Sequence, residues 1–196
     1  MKIFDIFTAE DVKIEDPGLK RYINLDVKLI LKSKGRERKR FAKARINVVE
    51  RMINLLTNPG HRGKKHKIMT GRASGKYSKK AKVVIDMLRI IQQKTNQNPI
   101  QVLIKAIENS APHDEITVIE YGGARYPQAV DTAPMRRVDM ALRNIVHGAY
   151  DKAFGKNKSI TEALVAEIIG AYNNSVSESF AVSKRNETEK MADSAR

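Results

Sequence analysis

Apolar residues return every three or four positions through the middle and end of the chain, the spacing of helices that bury one face. Val49, Met52, Ile53 and Leu56 fall at i, i+3, i+4 and i+7, and the pattern stops at Asn58-Pro59-Gly60, three successive turn formers. Val84, Met87, Leu88 and Ile91 repeat it and end near Asn96. A third helix is predicted to open at Asn98-Pro99. Asn98 suits the cap, Pro99 suits the first helical position because its missing N–H would be unpaired anyway, and Gln101 completes a capping box. Ile100, Leu103, Ile104 and Ile107 form its buried face, and Pro112 closes it.

Residues 114–131 break the helical period. Ile116 and Val118 alternate with polar neighbours, Gly122-Gly123 intervenes, and Tyr126 to Val130 runs back, a β-hairpin signal. Pro127 has no N–H, so the return strand must be an edge strand or be interrupted there. Helical spacing resumes at Pro134, where Val138, Ala141, Leu142, Ile145, Val146, Ala149 and Ala153 hold one face. Ser159 and Glu162 form a capping box before a further helix that buries Val165, Ile168, Ile169 and Tyr172. From Ser183 the chain is polar and charged, with weak helical spacing at best, and no repeat of fixed length is present.

The expected fold is mainly α: a helical bundle with a projecting two-stranded β-hairpin and a basic N-terminal extension. Residues 1–45 form that extension and residues 46–196 the helical domain. An isolated hairpin is marginal in water, so this one is expected to rest on a partner.

Charge changes the picture from fold to function. The 196 residues carry a net charge of +15 with a pI near 10.0, and the excess is confined to two windows. Residues 20–45 hold eleven Lys/Arg against Asp26 and Glu37, and residues 61–82 hold nine with no acid, whereas residues 83–196 hold fourteen of each sign. A basic surface concentrated in this way meets a polyanion. The absence of Cys excludes disulfides, Cys-ligated zinc and thiol catalysis, and fits a reducing compartment. No apolar run approaches the roughly 20 residues of a membrane span, and the acids after Met1-Lys2-Ile3-Phe4 do not fit a signal or transit peptide. A cytoplasmic protein is expected.

The loop Gly60-His-Arg-Gly-Lys-Lys-His-Lys67 suits a folded RNA backbone, since glycines admit close approach and Arg62, Lys64, Lys65 and Lys67 reach phosphates. Arg72, Lys76, Lys79, Lys80 and Lys82 continue the charge into the start of the next helix, against its dipole, so a ligand is expected to compensate. From Lys32 to Arg45, eight cations including Arg36, Arg38, Lys39, Arg40 and Lys43 face only Glu37. Such a run repels itself, so disorder is expected without RNA and order upon it. A nuclear-import patch needs the same residues, and a merely solvated basic face is the plainer alternative.

Enzyme chemistry is not supported. Gly71-Arg-Ala-Ser-Gly-Lys76-Tyr77 has three residues between its glycines rather than four, and Tyr77 where a phosphate-binding loop needs Ser or Thr. His61 and His66 stand among cations without thiol or carboxylate, which disfavours a metal, and suit auxiliary RNA contacts. His113 beside Asp114-Glu115 fits a turn histidine with a neighbouring acid, and His147 a satisfied bundle residue. No catalytic residue, metal, cofactor, small-molecule substrate or membrane partner is expected.

Asn98-Pro-Ile-Gln-Val-Leu-Ile-Lys-Ala-Ile-Glu-Asn-Ser110 leads to Tyr121-Gly-Gly-Ala-Arg-Tyr-Pro-Gln-Ala-Val-Asp-Thr-Ala-Pro-Met-Arg-Arg137. Together with Val49-Glu-Arg-Met52, Gly63-Lys-Lys65, Ile90-Ile-Gln-Gln-Lys-Thr95 and Lys184-Arg-Asn-Glu-Thr-Glu-Lys-Met191, this closely resembles the universal small-subunit ribosomal protein seven family, in its archaeal and eukaryotic branch. The resemblance covers roughly Lys43 to Arg196 and, more loosely, Ile3 to Val12; the hairpin tip departs from the bacterial pattern at Arg125 and Pro127. It implies a structural constituent of the small subunit that binds the 3′ major domain of ribosomal RNA, nucleates the head and contacts other head proteins. It further implies a position near the mRNA exit, with the hairpin (Gly122, Gly123, Arg125, Tyr126) approaching exit-site tRNA. Arg136 and Arg137 are carried over as RNA contacts, against a structural alternative in which they pair with Asp139 or Asp131; for Tyr126 the alternative is packing under its own hairpin. Two other functions share the charge argument: a DNA-binding or chromatin-type helical protein, and an mRNA-binding translational regulator. The first predicts a helix rich in base-reading side chains, which the charge-balanced helices after residue 83 do not supply.

Overall fold

The computed structural model describes residues 2–27, 38–59 and 75–196. Among them it forms helices α1 (Val48–Thr57), α2 (Tyr77–Thr95), α3 (Pro99–Ser110), α4 (Pro134–Ala153), α5 (Ile160–Tyr172) and α6 (Phe180–Ser194). Strands β1 (Lys2–Ile3) and β2 (Phe7–Thr8) make a small antiparallel pair, and β3 (Asp114–Tyr121) and β4 (Ala124–Asp131) the long hairpin. The chain is therefore mainly α, with the expected hairpin between α3 and α4.

α5 sits at the centre. Ala163, Leu164, Val165, Ile168, Gly170 and Ala171 are all buried, because α2, α3, α4 and α6 pack around it. A helix that is apolar on so many sides is stable only inside a bundle. Its start has the predicted box: Ser159 Oγ accepts from the Glu162 N–H at 3.2 Å, and Glu162 Oε2 accepts from the Ser159 N–H at 3.4 Å. α3 starts differently from expectation. Asn98 caps it, accepting from the Ile100 N–H at 3.0 Å, but Gln101 turns away from the box. Its amide instead clasps the backbone of Lys13, accepting from N–H at 2.8 Å and donating to C=O at 3.0 Å. Further along the same helix, Glu108 accepts from the N–H groups of Glu15 and Asp16 at 2.8 and 3.0 Å. Residues 13–16 are thus strapped along α3, and Ile3, Phe7, Leu19 and Ile23 bury their side chains in the same core as the helices.

The polar end of the chain also folds further than its spacing suggests. Ser179 caps α6, and Ala181, Val182 and Ala192 are buried. Glu167, with no solvent exposure, accepts from Ser179 Oγ at 2.9 Å and the Ala181 N–H at 3.0 Å, and pairs with Lys152 at 2.5 Å. A carboxylate from α5 thereby substitutes for hydrogen bonds that the first turn of α6 lacks, and ties α4 to both.

In the hairpin, Gly122 and Gly123 have φ of 58° and 81°, the pair of positive values that a tight two-residue loop requires. With only two strands each is an edge, which accommodates Pro127 opposite Val118. Ile116 and Ala129 are half-buried near the base, where α6 packs on β3, while residues 117–128 are exposed on both faces.

Gly148, in the middle of α4, lies directly against Glu167 of α5 and Phe180 of α6. A Cβ there would lie 2.7 Å from Glu167 Cδ and 2.8 Å from Phe180 Cβ. On a free helix surface Gly→Ala gains up to about 1 kcal/mol. Gly148→Ala is instead expected to lower stability by about 1–3 kcal/mol in urea unfolding, because it overpacks this junction; a stabilised variant would contradict the packing.

Candidate nucleic-acid interface

The basic loop begins where α1 ends and finishes where α2 begins, and its two ends are held together. The Gly75 N–H donates to Thr57 O at 2.9 Å, closing the stem across α1 and α2. The His147 ring, buried on α4, donates from Nε2 to Pro59 O at 2.6 Å. Tyr150, one turn on, donates to Leu56 O at 2.9 Å and accepts from Lys80 Nζ at 2.9 Å. Burial pushes the Tyr150 hydroxyl up to about 12. Burial first, then the neighbouring Lys79 and Lys76, hold the Lys80 ammonium below the usual lysine range.

Two of the expected RNA contacts have their side chains engaged inside the fold. Lys80 is buried, with its ammonium on Tyr150 and 5.4 Å from the centre of that ring. Arg137 is also buried: it pairs with Asp16 at 2.8 Å, donates to Pro112 O at 3.1 Å and lies 3.3 Å from His113 Nε2. The reason is the same in both. Long-range partners, 70 residues away for Lys80, turn each cation inward, and spacing along the chain carries no trace of them. Arg136 is exposed but pairs with Glu115 at 2.7 Å, across the base of the hairpin. The acids expected to engage these arginines were Asp139 and Asp131. Asp139 is instead taken by Arg51 of α1 at 2.8 Å, a buried arginine that also donates to Tyr22 O.

The remaining described cations face outward. Arg38, Lys39, Arg40, Lys76 and Lys79 are exposed, and none forms an ion pair within the described residues. Lys43 is exposed and approaches Asp139 only at 4.0 Å. The first turn of α2 contains no acid, so Lys76 and Lys79 stand at the positive end of the helix dipole without a neighbouring carboxylate in that turn. Arg36, Arg62, Lys64, Lys65, Lys67 and Arg72 lie outside the described residues, as do His61, His66, most of the Gly71–Lys76 stretch and the Lys32–Glu37 part of the run expected to be disordered. At the hairpin, Gly122 and Gly123 form the tip, Arg125 lies 3.8 Å from Glu120 across the strands, and Tyr126 faces Ile119 yet stays 58% exposed. Tyr126 does not pack beneath its own hairpin.

The arrangement defines a class: a helical bundle whose buried cations are each satisfied internally, with exposed cations lacking ion pairs among the described residues at Arg38 to Arg40 and at the start of α2. The family model for ribosomal protein S7p/S5e matches residues 20–196. Curated relatives named small ribosomal subunit protein uS7 are similar along the whole chain. That of Nanoarchaeum equitans is 51% identical over 100% of this chain and 99% of its own length. Those of Methanosphaera stadtmanae and Methanothermobacter thermautotrophicus are 45% and 44% identical, covering 99% and 98% of this chain and 98% of their own lengths. The chain belongs to the S7p/S5e family of small-subunit ribosomal proteins, a family of structural proteins rather than enzymes. None of its described helices is long and apolar enough to cross a membrane.

Neighbouring arginines should separate cleanly by role. Arg137→Ala strands the Asp16 carboxylate and is expected to cost about 3 kcal/mol in chemical denaturation. Arg136→Ala removes an exposed arginine from a partner, Glu115, that keeps some contact with water, and is expected to change stability by less than about 1 kcal/mol. Equal effects would overturn the division between inward and outward cations.

Proposed function

We propose that the chain binds the 3′ major domain of small-subunit ribosomal RNA and nucleates folding of the subunit head, within cytoplasmic ribosomes. The observation that carries this reading is the outward set Arg38, Lys39, Arg40, Lys76 and Lys79, without an ion pair among the described residues, together with exposed Lys43, 4.0 Å from Asp139, on a bundle that pairs its buried cations. Keeping so many like charges together costs folding energy through mutual repulsion, and a polyanion removes that cost. Arg36, Arg62, Lys64, Lys65, Lys67 and Arg72 extend the same surface in sequence. Cations on connections rather than on one flat helix face follow a curved RNA backbone, and recognition there rests on phosphates and shape.

The residues of 1–45 that reach the surface join this RNA contact, and other head proteins surround the complex. The hairpin has a different task. Its outer part exposes Val118, Tyr121 and Tyr126 and carries little net charge, so it contributes little to phosphate binding. It reaches toward exit-site tRNA and the departing messenger, where its exposed aromatic and apolar side chains meet a surface that the assembled subunit supplies.

Replacing Lys64, Lys65, Lys76 and Lys79 together by Ala should weaken binding to the isolated ribosomal RNA domain. It should also flatten the dependence of log affinity on log salt, by just under one unit for each phosphate left without its lysine. An unchanged slope would show that these lysines do not meet phosphates. Deleting Gly122 to Tyr126 should leave affinity for the RNA domain within about twofold and alter tRNA or messenger events in assembled subunits. Loss of RNA-domain binding on this deletion would give the hairpin the wrong task.

A further inference from the structure

Phe41 is an exposed aromatic held in an unfavourable backbone conformation. Its φ is 62° and ψ 9°, the left-handed region that bulky residues avoid, and the residue is 54% exposed. The ring is not among the hydrophobics packed against the core, so the fold gains little from it. The surrounding turn is nevertheless firmly set. Ala42 and Ile46, which follow it, are buried, and the N–H groups of Ala42 and Ala44 donate to Lys39 O and Phe41 O, both at 3.1 Å. The segment is then sewn to residues 20–26, since Asn24 Nδ2 donates to Arg45 O at 3.0 Å and the Val48 N–H to Asn24 O at 2.9 Å. An outlier so over-determined points to use, because relaxing it would be simple if it served only the fold.

What lies beside the ring indicates the ligand. Phe41 forms part of the wall of a cleft of about 550 Å³ that also includes Lys20, Arg21 and Arg45. These three cations are exposed, and none forms an ion pair within the described residues. Among the described residues Asp26 is the one acid in the wall, and it accepts from the Asn24 amide at 3.2 Å. The Arg40 guanidinium stands 5.0 Å from the centre of the Phe41 ring, covering part of one face. An aromatic face backed by a guanidinium, beside several exposed cations in a cleft of ligand size, matches the chemistry of an unstacked nucleotide.

We propose that Phe41 stacks on one unpaired base of the small-subunit ribosomal RNA, while Lys20, Arg21 and Arg45 take its flanking phosphates. This rests on the ribosomal RNA reading above and adds to it a single-nucleotide site. Stacking tolerates any base, so the cleft selects an extruded nucleotide rather than a particular sequence. Fixing the ring in advance, at a backbone cost borne by the folded protein, avoids ordering it on binding.

The full chain contains no Trp, so Phe41→Trp introduces its only indole. Bound to a 3′ major-domain fragment, this variant should keep wild-type affinity within about twofold, and its indole emission should be quenched by the stacked base. Phe41→Leu should bind about tenfold more weakly with an unchanged salt slope, since every phosphate keeps its cation, and should melt as the wild type does. An unstructured uridine oligomer of equal length is the second arm, and should quench the indole only at much higher concentration. Unquenched emission in the bound complex, wild-type affinity for Phe41→Leu, or equal quenching by both RNAs would each overturn the stacking site. Failure of the wild-type chain to bind the fragment would instead overturn the ribosomal RNA reading, and the site with it.

Discussion

The closed stem between α1 and α2 is the constraint on which the outward face depends. A backbone hydrogen bond from Gly75 to Thr57 brings the two ends of the basic loop together. Two side chains from α4, His147 and Tyr150, bind the carbonyls of Pro59 and Leu56 at the end of α1 and its turn. These carbonyls would otherwise be left without partners where the helix stops, in surroundings largely closed to water. The result couples three helices at the two ends of the basic loop. Lys80 joins them from inside, and its ammonium is held by the hydroxyl that closes the stem. Repulsion within the loop therefore acts against a braced scaffold.

Charge in this chain is divided by depth. Arg51, Lys80 and Arg137 lie nearly out of solvent and join elements far apart in sequence, and partly exposed Lys152 of α4 sits on the fully buried Glu167 of α5. Desolvating such groups is costly, and the cost is offset only where a carboxylate, hydroxyl or carbonyl is already in position. Removing one partner then leaves the other to bear the full penalty, which makes these pairs guardians of one arrangement of helices. The outward cations obey the opposite logic. They stay hydrated and contribute little to the fold. The same residue types thus do two kinds of work, and burial separates them.

Most of the helical frame is legible along the chain because it depends on local periodicity and on end signals. The faces at Val49 to Leu56, Val84 to Ile91 and Val138 to Ala149 are buried as their spacing predicts, and the Ser159–Glu162 box forms. The hairpin is equally visible, since alternation, the double glycine and Pro127 are all short-range features. What spacing misses is whatever depends on a distant partner. α6 looks weakly helical because its stabilising acceptor, Glu167, belongs to another helix. Gln101 looks like half of a capping box because nothing nearby shows that Lys13 will lie across it. Lys80 and Arg137 look like members of a basic surface because neither Tyr150 nor Asp16 is adjacent to them in sequence. Phe41 gives no signal at all until its backbone angle and the cleft are known.

The proposed function stands on one claim, that the outward cations meet folded ribosomal RNA and not polyanions in general. Competition at physiological salt between a 3′ major-domain ribosomal RNA fragment and duplex DNA of equal charge tests it most directly. A preference for the RNA that persists as salt is raised is the predicted result, because shape and positioned contacts survive screening better than bulk charge. Equal binding to both, vanishing together as salt rises, would contradict it and leave only a basic surface.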